Sequence, residues 1–84
     1  MQIEVRFFAR FRELLGDRVD VSLPEEDGSI EALRQWLANQ GDQWQAVLGS
    51  DQRVMAAVNE QLVGMDHELR DGDAVAFFPP VTGG

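Results

Sequence analysis

Two stretches of period-two alternation frame the chain and one helix-period stretch lies between them, an order that leaves few folds open. Near the start, IEVRFF places Ile3, Val5 and Phe7 on one face and Glu4, Arg6 and Phe8 on the other, the pattern of a half-buried strand. Near the end, AVAFF (residues 74–78) reads as another strand, closed by Pro79-Pro80, which cannot continue a ladder. Between them, SIEALRQWLANQG supplies Ser29 as N-cap and Glu31 in the first turn. Ile30, Leu33 and Leu37 share one face with Trp36 beside them, and Gly41 is the expected stop.

The remaining segments are shorter. ARFRELLG offers Phe11, Leu14 and Leu15 at helical spacing before Gly16-Asp17 breaks it, and VDVSL follows as a second strand with Val19, Val21 and Leu23 inward until Pro24. Trp44, Val47 and Leu48 suggest one more helical turn. RVMAAVN reads as a third strand, joined to a short fourth, EQLVG, through a tight turn at Asn59-Glu60, and Asp71-Gly72 signals the turn before the last strand. Two strands, a helix and further strands fit an α+β arrangement: a small mixed sheet with one main helix packed across a single face, its first and last strands central parallel neighbours. That is the β-grasp, or ubiquitin-like, fold. At 84 residues the chain makes one domain, 1–84, near the lower limit for a core without metals or disulfides.

Composition removes several kinds of function. Fifteen acidic residues against seven basic ones give a net charge of −8, the wrong sign for a phosphate backbone or an anionic membrane. The basic residues are all arginines, and with lysine and cysteine both absent there is no Schiff base, thiol nucleophile, disulfide or thiolate metal site. The single histidine, His67, stands in MDHELRDGD without a serine or metal partner signature and reads as a surface turn residue. MQIEVRFFAR lacks the long apolar run of a signal peptide or membrane span, so a cytoplasmic location is expected.

If the helix covers the face bearing Ile3, Val5, Phe7, Val75 and Phe77, alternation sends Phe8 and Phe78 to the other side, where they should be exposed. Leu62 is a third apolar residue expected there. Such a patch marks a partner surface, against the plainer reading that single exposed apolar residues need no explanation. The chain then finishes AVAFFPPVTGG with no charged side chain after Asp73. Pro79-Pro80 stiffens the exit, Val81 and Thr82 are slim, and the glycines have no Cβ, so residues 79–84 suit an extended tail that threads a narrow channel and leaves a terminal carboxylate unobstructed.

FFARFRELLG, the MAAVN strand and above all the ending LRDGDAVAFFPPVTGG resemble the small, sulfur-carrier subunits of molybdopterin synthase, over essentially the whole chain. The resemblance implies a β-grasp whose terminal glycine, here Gly84, is adenylated with ATP by an E1-like adenylyltransferase. Sulfide supplied through a sulfurtransferase or cysteine desulfurase then replaces AMP to make a thiocarboxylate. The large synthase subunit uses that sulfur to build the dithiolene of molybdopterin from cyclic pyranopterin monophosphate. It further implies that Pro80, Val81, Thr82 and Gly83 thread the tail, that Phe8, Leu62 and Phe78 dock on the partners, and that two small and two large subunits form a heterotetramer. ATP would be used by the activating enzyme, with no cofactor permanently bound. Arg12 matches an arginine of the family pattern, and a contact role for it stands beside that of a helix-surface charge near Glu13 and Asp17.

The residues agree with that chemistry. Acyl-adenylate formation gives a carboxylate a good leaving group, and a chain without cysteine has no persulfide to offer instead. The chain is expected to be a co-substrate, not itself an enzyme. Two other readings remain open at this point: a sulfur carrier serving thiamine, tungsten-cofactor or thiolated-tRNA synthesis or a protein modifier, and a non-covalent ubiquitin-like interaction domain whose glycines are inert.

Overall fold

The computed structural model describes residues 1–80, so Val81, Thr82, Gly83 and Gly84 lie outside the described residues. Alternation in the first segment becomes strand β1 (Gln2–Phe7), which buries Ile3, Val5 and Phe7. A six-residue helix α1 (Arg10–Leu15) follows, then strand β2 (Arg18–Ser22), which returns antiparallel to β1 with Val21 opposite Ile3. After a short 3-10 turn at Glu25–Asp27 come helices α2 (Ile30–Ala38) and α3 (Asp42–Leu48). Strands β3 (Met55–Val58), β4 (Gln61–Val63) and β5 (Ala74–Phe78) complete the sheet, in the order β2-β1-β5-β3-β4.

The first and last strands are parallel neighbours, with Val5 opposite Val75 and Phe7 opposite Phe77, as expected of a β-grasp. Parallel pairing requires a long crossover, and the helices supply it. Ile30, Leu33 and Leu37 of α2 and Val47 and Leu48 of α3 join the inward side chains of β1 and β5 in a single core. Phe7 anchors it, stacked against Phe77 with ring centroids 6.5 Å apart and edge-on to Trp44 at 5.7 Å. Among the described residues no helix is long and apolar enough to cross a membrane.

Four details differ from the sequence-based expectation. Leu14 is 47% exposed, because a helix this short reaches the core through Phe11 alone, and only Leu15, one turn after Phe11, shares that side and is half-buried. Trp36 is also exposed, on the flank of α2 away from the buried stripe. Helix α2 stops at Asn39, not at Gly41, whose carbonyl instead begins the next helix by accepting from Gln45 N–H at 3.0 Å. The turn foreseen around Trp44 is a helix of seven residues. The N-cap is as expected, with Ser29 Oγ accepting from Ala32 N–H at 3.0 Å.

Two polar clusters hold this frame. Arg34 is only 7% exposed, and its guanidinium donates to the carbonyls of Leu48 (2.9 Å), Gly49 (2.6 Å) and Gln52 (2.5 Å), closing the C-terminal end of α3. The Asp-Gly-Asp turn ahead of β5 is tied to both neighbouring strands. Asp71 Oδ1 accepts from Gln2 N–H at 2.6 Å, and Asp73 accepts from Arg70 N–H at 2.8 Å and from the Asn59 side chain at 3.0 Å. Asn59 in turn accepts from Ala74 N–H at 3.1 Å. Gly72, at φ 89, supplies the left-handed residue this turn needs.

Candidate functional site

With the helices on one side of the sheet, the residues between the core positions form the other. Cross-strand register sets them in rows. Leu62 lies opposite Ala57, Ala57 opposite Ala76, Ala76 opposite Arg6, and Arg6 opposite Arg18. One row nearer the end where β5 finishes, Met55 lies opposite Phe78, and Phe8, one residue past β1, donates its N–H to Phe77 O at 3.2 Å and so stays in step with it. One row the other way, Ala74 lies opposite Glu4. The face therefore grades from apolar, where the chain leaves β5 for Pro79-Pro80, to charged along β2.

Leu62 is 65% and Phe8 46% exposed, as expected for an outer patch. Phe78 is half-buried, because on a central strand it has Met55 on one side and Phe8 on the other. Phe8 is held outward by the turn that follows it. Ala9 has φ 55 and ψ −136, and Phe11 N–H bonds to Phe8 O at 3.2 Å, so the chain swings to the helix side while Phe8 remains with the sheet. That backbone conformation favours glycine, and an alanine in it costs about 1 kcal/mol or more.

The structure brings Phe8, Leu62 and Phe78 onto one face and leaves Arg12 out of its rows. Arg12 stays on α1, its Nε 3.3 Å from Asp17 Oδ1, with both side chains exposed. His67 is exposed in the loop after β4, where its main chain does the structural work: its carbonyl accepts from Ile30 N–H at 3.0 Å. Of the expected tail only Pro79 and Pro80 are described. The site roles of Val81, Thr82, Gly83 and Gly84 fall outside the described residues.

Residues not singled out from the sequence complete the face. Ala57, Ala74 and Ala76 floor a groove of about 350 Å³, walled by Glu4, Arg6 and Phe8 on one side and by Asn59 and Glu60 on the other. The alternation in MAAV and AVAFF carries this signal, but alanines draw less notice than phenylalanines. Glu4 is occupied, 3.3 Å from Arg6 and 3.1 Å from Arg18. Among the described residues the apolar end of the face holds no hydroxyl, thiol or imidazole, so its side chains suit contact with a partner and not attack on one.

Known proteins share much of this sequence and fold. Residues 5–84 match the ThiS family. The chain is 53% identical over 83 residues to the molybdopterin synthase sulfur carrier subunit of Escherichia coli, covering 98% of this chain and 99% of that one. It is 36% identical over 92 residues to small archaeal modifier protein 3 of Haloferax volcanii, covering the whole of both. Among solved structures it resembles a chain in the protein–protein complex of subunits 1 and 2 of the molybdopterin-converting factor from Helicobacter pylori. There the TM-score is 0.68 and the identity 27%, with both chains fully covered.

Proposed function

Since the chain belongs to the ThiS family, we propose that it is the sulfur-carrier subunit of a molybdopterin synthase, with Gly84 as the carrier residue. The observation that carries this reading is the near-full-length identity with the E. coli carrier, and the apolar outer face beside the exit of β5 supports it. In this reading the Gly84 carboxylate attacks the α-phosphorus of ATP in an E1-like enzyme, releasing pyrophosphate. Sulfide, supplied by a sulfurtransferase or cysteine desulfurase, then attacks the acyl carbon and AMP leaves. The resulting thiocarboxylate is the nucleophile that delivers sulfur to cyclic pyranopterin monophosphate in the large subunit. Phe8, Leu62 and Phe78 dock the carrier, Pro80 to Gly83 pass the tail inward, and two copies of each subunit form the working cytoplasmic complex. The groups that bind ATP and the substrate phosphate belong to the partners.

Intact-mass measurement after incubation with the activating enzyme, ATP and a sulfur source tests the reading. Exchange of one oxygen for one sulfur, mapped to Gly84, is expected, and an unchanged mass with active partners counts against it. A second reading, in which the activated tail is spent on protein amines, is favoured by the likeness to the archaeal modifier. It predicts Gly84 in isopeptide linkage to lysines of other proteins, since this chain has no lysine of its own.

A further inference from the structure

The alanine-floored groove adjoins the docking patch, yet its far wall ends in a carboxylate that the patch does not explain. Glu60 is exposed and, among the described residues, makes no ion pair, whereas Glu4 across the groove is shared by Arg6 and Arg18. Glu60 also sits at φ 72, after Asn59 at φ 49, in the two-residue turn between β3 and β4. A hairpin turn with both central residues at positive φ favours Asn-Gly, so the chain keeps a glutamate where glycine would be the easier residue. Backbone strain of this kind collects at binding and switching sites.

From these features we infer that the groove receives an arginine or lysine side chain of the large synthase subunit, its methylene stem on Ala57, Ala74 and Ala76 and its cation against Glu60. The groove asks for both properties. An apolar side chain seated there would bury the Glu60 carboxylate without a partner, and an acidic one would be repelled by it. A long basic side chain covers apolar surface with its stem and keeps its charged head at the rim. The groove is continuous with Phe8 and lies in the same rows as Leu62 and Phe78, so one partner surface can span all of them.

This inference rests on the carrier reading, and its test separates the two. The cognate large subunit is titrated calorimetrically with the parent chain, with Glu60→Gln and with Leu62→Asp, at low and at high salt, after thermal melts establish that the variants fold. Glu60→Gln is expected to bind about tenfold more weakly at low salt, with the gap narrowing as salt rises, as for a charge pair at an interface. Equal affinity of Glu60→Gln and the parent at both salt concentrations, with Leu62→Asp failing to bind, overturns the groove assignment and leaves the docking face standing. Failure of the parent chain to bind the large subunit at all overturns both.

Discussion

Arg34 shows how much one side chain can hold. It is one of seven arginines in the sequence and stands in the middle of an amphipathic helix, where an exposed charge would be ordinary. In the structure it is buried, and its planar fork serves the carbonyls of Leu48 and Gln52 and shares that of Gly49 with Gln52 N–H. The end of α3 is also tight enough to dictate the residue at 49. A Cβ on Gly49 would lie 2.5 Å from Gln45 O, so this glycine is required by space and not by its φ of −58. Replacing Arg34 by alanine takes the side-chain donor from the Leu48 and Gln52 carbonyls, leaves Gly49 O with Gln52 N–H alone, and removes a large buried side chain. Urea denaturation is expected to show a loss of about 3 kcal/mol, a large share of what so small a domain has. Arg34→Lys should recover only part, since one ammonium cannot reproduce the fork. A stability within 0.5 kcal/mol (about the surface-substitution range) of the parent for Arg34→Ala would show the cluster to be dispensable.

At the scale of elements, the turn between β3 and β4 makes a sharper prediction because stability and docking should move in opposite directions. Glu60→Gly relieves a positive φ, partly offset by the greater freedom glycine has when unfolded. A net gain of about 0.5 kcal/mol, or a rise of roughly 3 °C in Tm, is expected from thermal melts. The same variant lacks the carboxylate and should bind the large subunit more weakly; a fall in Tm would show that the turn is not strained as described. This turn was legible in the sequence, as were all five strands and the parallel pairing of the first with the last, because alternation with buried β-branched and aromatic residues is a strong signal. Phe8 and Leu62 were legible for the same reason, as the odd members of alternating runs. The limits of the helices were less so. Gly41 was a plausible stop, yet its carbonyl serves α3, and the exposure of Leu14 follows from where α1 meets the core, which no local pattern encodes. The alanine floor was hidden for another reason: a groove is defined by its taller neighbours on other strands, and these are set by register.

Taken whole, the molecule separates holding from reacting. Among the described residues the apolar face offers no hydroxyl, thiol, amine or imidazole, so on the carrier reading the face docks and the chemistry falls to the terminal carboxylate of Gly84. The Asp-Gly-Asp cluster fixes the start of β5 to β1 and to the β3–β4 turn, and Phe77 is locked against Phe7, so the strand delivers Pro79 at a defined point relative to Phe8 and Leu62. On the carrier reading, the number of residues after Pro79 bounds how far the terminal carbon can reach. Adding one residue after Gly84 moves the reactive carbon by about 3.3 Å, more than a near-attack geometry tolerates. Gly83→Phe should instead obstruct the channel while leaving the carbon where it is. Both changes lie outside the described core and outer face, and on the carrier reading both variants should melt like the parent and bind the large subunit with its affinity. Molybdopterin formed per carrier, with purified activating enzyme, sulfur source and large subunit, should nevertheless fall by about 100-fold or more, because placement and not binding area has been lost. Near-normal yield from the extended chain, once mass spectrometry has established that no protease trimmed it back to Gly84, would remove the terminal carboxylate from the reaction and leave the docking face as the only function the fold supports.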